Sequence, residues 1–153
     1  MTLLTTAVNG FGGHAIALGI AGVGSAIGTG IAALGAMGLW KQSIKEKKKL
    51  PSLALAMVGM PLSQVIYGMI FMNSLKGANL NPDSYMNQMI MALFVGIAIA
   101  VSAVMQGKAG AAACANLAVD DKQGAGMYIA AMGIIETVAL LSMVFGMGAI
   151  PGA

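Results

Sequence analysis

The chain has no arginine, a single cysteine, a single histidine and few aromatic residues, and only 8% of its 153 residues are charged. Soluble domains carry about 25% charged residues, so a water-surrounded globular fold is excluded at the outset. Cys114 has no second cysteine for an internal disulfide, and His14 alone builds no Cys/His metal cluster. Redox and transition-metal chemistry are therefore not indicated. The opening stretch MTLLTTAVNGFGG has no basic n-region, so it reads as no cleavable secretory signal; the first apolar span is expected to act as its own insertion signal. The glycines between positions 22 and 35 follow no strand and end in no Lys-Ser/Thr pair, so they are no nucleotide loop and no ATP-hydrolysing site is read here. They read as a helix-packing face.

What is present is apolar and small. Hydrophobic residues make up 58% of the chain and the mean hydropathy is +0.85. Twenty-two glycines and 14 methionines suit helices that approach closely and fill the remaining gaps with flexible thioethers. The eight basic residues, all lysine, exceed the five acids to give +3, but in a membrane protein the placement of charge carries more than the sum.

The organisation reads as an N-terminal extracytoplasmic segment 1–13, a hairpin 14–75, a loop 76–84, a second hairpin 85–150 and a tail 151–153. Residues 14–40 hold neither charge nor proline, and at about 1.5 Å per residue they cross a hydrocarbon core of about 30 Å. His14 and Trp40 suit the two interfaces. Residues 41–49 carry five lysines, which places this loop in the cytoplasm. The second span covers 50–75. Pro51 is harmless at its start, whereas Pro61 inside it frees the carbonyl of Met57 and bends the helix. The turn-forming KGANLNPDS (76–84) lies on the opposite side, the third span covers 85–119, the turn DDKQG (120–124) returns the chain, and the fourth span covers 125–150 before Pro151. The small-residue second half of the third span, QGKAGAAACANLAV, is expected to protrude into the cytoplasm. The fold class is an all-α membrane protein of four transmembrane helices in two hairpins, both termini outside and both tight loops inside.

The hairpins repeat. Aligning AGVGSAIGTGIA (21–32) with AIAVSAVMQGKA (98–109) superposes Ser25 on Ser102, Ala26 on Ala103 and Gly30 on Gly107; aligning AMVGMPLSQ with AAMGIIETV superposes Gly59 on Gly133 and Leu62 on Glu136. Read as a duplication, the chain keeps its buried carboxylate in the second copy alone.

Glu136 lies in an apolar stretch, where an ionisable group is costly and is usually kept for transport. Counting from the cytoplasmic turns puts Glu136, Gln106, Ser63 and Gln64 each roughly 21–23 Å along its helix, at one level. Ser63 and Tyr67 are spaced i,i+4, Gln64 and Tyr67 i,i+3, and Met60 precedes Gln64 by one turn, so all lie on one face. A serine hydroxyl, glutamine carbonyls, a proline-adjacent backbone carbonyl and one carboxylate are hard oxygen donors with one negative charge, a set that suits Na+. A divalent ion wants more carboxylates. The same glutamate can instead carry H+, but a proton site needs only the acid and one or two partners, so the extra oxygens favour sodium. Tyr67, by donating to Glu136, would fix the carboxylate rotamer. Lys108 reads as a side chain snorkelling to headgroups, and Cys114 as a small packing residue.

MPLSQVIYG (60–68), MQGKAGAA (105–112) and IIETVALL (134–141) together resemble the proteolipid subunits (c, or K, subunits) of V-type and related rotary ATPases in their four-helix form, and specifically the sodium-translocating members. The resemblance covers about 14–150. It implies that Na+ is held by the Met60 carbonyl, Ser63, Gln64, Gln106 and Glu136, with Tyr67 closing over it. Ser63 stands where the family commonly has threonine, and Leu62 where it has a small residue. The resemblance further implies a homo-oligomeric ring of identical chains, a stator membrane protein supplying an arginine, a cytoplasmic central-stalk protein facing 41–49 and 120–124, surrounding lipid, and a multi-pass place in a prokaryotic plasma membrane. Glu136 would cross lipid ion-loaded and neutral, coupling rotation to ATP hydrolysis or synthesis elsewhere in the complex. No nucleic-acid partner is expected. A reading of another class makes the chain a structural or channel-forming bundle in which Glu136 is only an interhelical hydrogen-bond partner.

Overall fold

The computed structural model describes residues 13–78, 84–119 and 124–151; the expected N-terminal segment, most of the loops 76–84 and 120–124, and most of the tail lie outside the described residues. Among the described residues every regular element is a helix, with no strand. Helix α1 spans Ala15–Lys45, α2 Leu53–Gly59, α3 Ser63–Gly77, α4 Tyr85–Leu117 and α5 Ala125–Gly148, and a 3-10 turn, Met60–Leu62, joins α2 to α3. Four helical stretches, counting α2 to α3 as one, are long and apolar enough to cross a membrane, which makes this an integral multi-pass membrane protein.

The charge boundary at Trp40 does not end the first helix. α1 continues to Lys45 because lysine and glutamine are good helix formers, and Ser43 returns its hydroxyl to the Leu39 carbonyl at 3.0 Å. The turn beyond is held by side chains. Trp40 Nε1 donates to the Pro51 carbonyl at 3.2 Å, Gln42 Nε2 donates to Glu46 at 3.0 Å, and Lys48 pairs with Glu46 at 2.7 Å.

Pro61 breaks the second span by chemistry rather than by composition. It has no N–H for the carbonyl of Met57, and the chain tightens into the 3-10 turn, closed where the Ser63 amide donates to the Met60 carbonyl. That turn fixes the direction in which α3 leaves, and with it Ser63 and Gln64.

α1 and α4 form the longest interface, and it is built from absent side chains. A Cβ on Gly28 would collide with the backbone at Ala103, and one on Gly107 with the backbone of Gly28 itself, so only glycine admits this approach. Two apolar clusters lie along the bundle. One gathers Ala17, Ala21, Phe71, Leu75, Ile99 and Met143; the other gathers Ala36, Leu39, Ala54, Met57, Leu117 and Met132. Along their helices Ser63, Gln64, Gln106 and Glu136 fall between the two.

Candidate functional site

Three chain segments supply this polar layer. At the head of α3 the Ser63 hydroxyl lies 3.0 Å from the Met60 carbonyl and 3.2 Å from Gln64 Oε1. One hydroxyl proton serves one acceptor at a time, which leaves the Ser63 oxygen with lone pairs to spare. Gln64, fully buried, donates from Nε2 to Gln106 Oε1 at 2.9 Å. Gln106, also fully buried, spends its N–H groups on α5, at 3.1 Å to the Met132 carbonyl and 3.3 Å to Glu136 Oε2. Tyr67, one turn beyond Ser63 on α3, donates its phenol to Glu136 Oε1 at 2.7 Å.

The six residues picked out by depth and spacing, Met60, Ser63, Gln64, Tyr67, Gln106 and Glu136, are thus joined in one hydrogen-bonded chain. Each carboxylate oxygen of Glu136 receives one donor, and among the described residues no lysine pairs with it. The Met132 carbonyl also orients Gln106. Because Nε2 is held by α5, Oε1 is left to accept from Gln64 Nε2. The oxygens of Met60, Ser63, Gln64 and Gln106 thus belong to one hydrogen-bonded network with a single carboxylate. Donors of this kind suit a hard monovalent cation. Among the described residues no group of three His, Cys, Asp or Glu side chains comes together.

Two partners escaped the sequence reading. Ser102, buried one turn before Gln106, donates to the Ile135 carbonyl at 2.8 Å and clamps α4 to α5 beside Glu136. The same depth count that found Gln106 reaches Ser102, since i and i+4 share a face. The Met132 carbonyl carries no such signal. Lys108 lies exposed on α4 and takes no part in the network. Thr137, next to Glu136, is turned to its own helix, donating to the Ile134 carbonyl at 2.6 Å.

Residues 12–74 match the family model of the ATP synthase C subunit. The matched segment contains Met60, Ser63, Gln64 and Tyr67 and ends before α4 and α5, which carry Gln106 and Glu136. A comparison with curated proteins gives no match.

Proposed function

We propose that the chain is a rotor-ring component of a V-type rotary ATPase, carrying Na+ on Glu136 through the bilayer as a ring of identical copies turns against a stator. Support for the rotor comes from the ATP synthase family match over 12–74, the four apolar spans and the single carboxylate set at one level with polar groups from the other helices. Support for the ion comes from one observation: Gln106 is held by the Met132 carbonyl with its oxygen towards the side chain of Gln64, whose own oxygen accepts from Ser63, so neutral oxygen donors from two helices share a network with Glu136. Na+ would lie among the Met60 carbonyl, Ser63, Gln64, Gln106 and Glu136 and displace the Gln64 Nε2 group from Gln106. The cation and the carboxylate together are neutral, which is the condition for crossing lipid at modest cost. Tyr67 holds the carboxylate rotamer meanwhile. At the stator an arginine would draw Glu136 away and release the ion; the loop at 41–49 would face the central stalk.

Carbodiimide labelling of Glu136 in the purified oligomer tests the reading. Na+ at fixed pH is expected to slow labelling several-fold. Labelling that follows pH and ignores Na+ replaces sodium with a proton, because the protonated carboxyl is the reactive form. A protein that purifies as a monomer or dimer, with no ATPase partners, overturns the rotor itself in favour of a structural or channel-forming bundle.

A further inference from the structure

The first hairpin also contains two buried hydroxyls that are unsatisfied. Ser25 is only 2% exposed, and neither its hydroxyl nor the buried hydroxyl of Thr29, one turn further along α1, has a hydrogen-bond partner. Helical serines usually return the hydroxyl to their own backbone, as Ser43, Ser74 and Ser142 do here, each to the carbonyl four residues back. Ser25 and Thr29 do not. Their neighbours show what this face of α1 looks at: Gly22 lies against Val65, Ala21 against Gly68, and Gly28 against Pro61 and Ala103. The two hydroxyls stand in the seam where α1 meets the broken second span.

The repeat tells what belongs there. The alignment that places Ser25 on Ser102 places Thr29 on Gln106. In the second hairpin this pair reaches backbone carbonyls of the facing helix directly, Ser102 that of Ile135 and Gln106 that of Met132. Thr29 is shorter than glutamine by an amount close to the roughly 30 Å³ that one water occupies. The facing helix also offers an acceptor. Pro61 has no N–H for the carbonyl of Met57, and that carbonyl lies over Gly110 beside Ala32, one turn on from Thr29. A buried hydroxyl left without a partner costs about as much as a lost hydrogen bond, and a water with two to four polar partners removes that cost.

We propose that Ser25 and Thr29 hold a buried water that links α1 to the Met57 carbonyl, which Pro61 deprives of its i+4 donor, the solvent-mediated counterpart of the Ser102–Gln106 clamp. The water ties α1 to the segment that turns into Met60–Leu62, so it acts as a positioning element for the Met60 carbonyl. That last role rests on the ion-site reading above; the water itself does not.

The test is a density map of the detergent-purified oligomer at a resolution that shows ordered water, for the wild type and for Thr29→Ser, Thr29→Val and Thr29→Gln. Density within hydrogen-bonding distance of both hydroxyls is expected in the wild type and in Thr29→Ser. It is expected to be lost in Thr29→Val, with a fall of a few degrees in melting temperature. Thr29→Gln should displace the water with its own amide and keep the melting temperature near that of the wild type. Hydroxyls turned back on the Ala21 and Ser25 carbonyls, with no density between α1 and the second span, overturn the proposal. Na+ protection of Glu136 separates the two readings: a water present in a protein whose labelling ignores Na+ removes the ion site and leaves the water standing. If the water is present and Na+ protects, Thr29→Val is expected to weaken protection several-fold while Thr29→Ser leaves it intact; unchanged protection in Thr29→Val removes the positioning role.

Discussion

The two hairpins share a plan and differ in what they put at its centre. The second places Glu136 on α5, with Ser102 and Gln106 of α4 bonded across to it or to its helix backbone. The first places Leu62 at the matching position, 50% exposed on the outer surface, and leaves Ser25 and Thr29 without partners. The ATP synthase family model matches the hairpin that lacks the carboxylate. What that match carries is therefore the shape of a helical hairpin plus four members of the polar network, while the charge comes from the other half of the chain. The first hairpin donates hydrogen bonds into the network of the second: Tyr67 of α3 to Glu136 of α5, and Gln64 of α3 to Gln106 of α4.

Moving the charge is the most severe test of this difference. In Glu136→Gln with Leu62→Glu, ion-coupled turnover is expected to vanish, and a carbodiimide is expected to label the carboxylate introduced at position 62 without protection by Na+. The α1 residue that corresponds to Gln106 is Thr29, which has no amide to offer. Sodium-protected labelling of this variant would make the hairpins interchangeable and break the comparison. Gln106→Leu comes next. It removes the oxygen proposed to meet Na+ together with the two bonds that hold it on α5, and the loss of one such polar contact, about 1–3 kcal/mol, is roughly a tenfold to hundredfold loss of Na+ protection. Protection equal to the wild type would take Gln106 out of the site.

Tyr67→Phe is milder. It deletes one donor to a charged acceptor, worth about 1.5–3 kcal/mol, part of which the remaining Gln106 bond will offset. Carbodiimide labelling of Glu136 should accelerate by about tenfold, and an unchanged rate would free the carboxylate of any control by Tyr67. The smallest effect lies at the end of the first hairpin. Hydrogen bonds from Lys48 and then Gln42, with the attraction of the Lys48 charge, hold the Glu46 carboxyl below the usual glutamate range. A folded-state value below the unfolded one stabilises above the unfolded pKa, and the stabilisation is lost as pH falls through the folded pKa. The group is fully exposed, so solvent screens it and the change is slight. Glu46→Gln should flatten the acid limb of the melting curve without altering the neutral region, and any change in Na+ protection would link the loop to the site.

Much of this was legible from spacing. Long apolar runs, two without charge and two with a single charged residue, Lys108 and Glu136, marked the four spans, and counting from the lysine loop and the Asp120–Asp121 turn brought Ser63, Gln64, Gln106 and Glu136 to one level, because rise per residue is fixed in a helix. Rotation about each helix axis was less visible. Tyr67 could be put on the face of Ser63 and Gln64, but the contacts of Ser102 with Ile135 and of Gln106 with Met132 depend on how α4 is turned against α5. Glycine and alanine packing sets that angle, and such residues say that helices come close without saying at which phase. The same ambiguity hid Ser25 and Thr29, which in sequence are small polar residues among small apolar ones. The end of α1 was missed for another reason: charge marks where lipid stops, and a helix of lysine and glutamine can continue past it.

The glycine contact between α1 and α4 has a mechanical side. Where Gly28 meets Gly107 there are no χ angles to freeze on assembly and none to excite afterwards. That pair of helices can act as a stiff spine, with low internal entropy to trade, while the side chains capable of rearranging, Gln64, Tyr67 and Glu136, are carried on α3 and α5 in front of it.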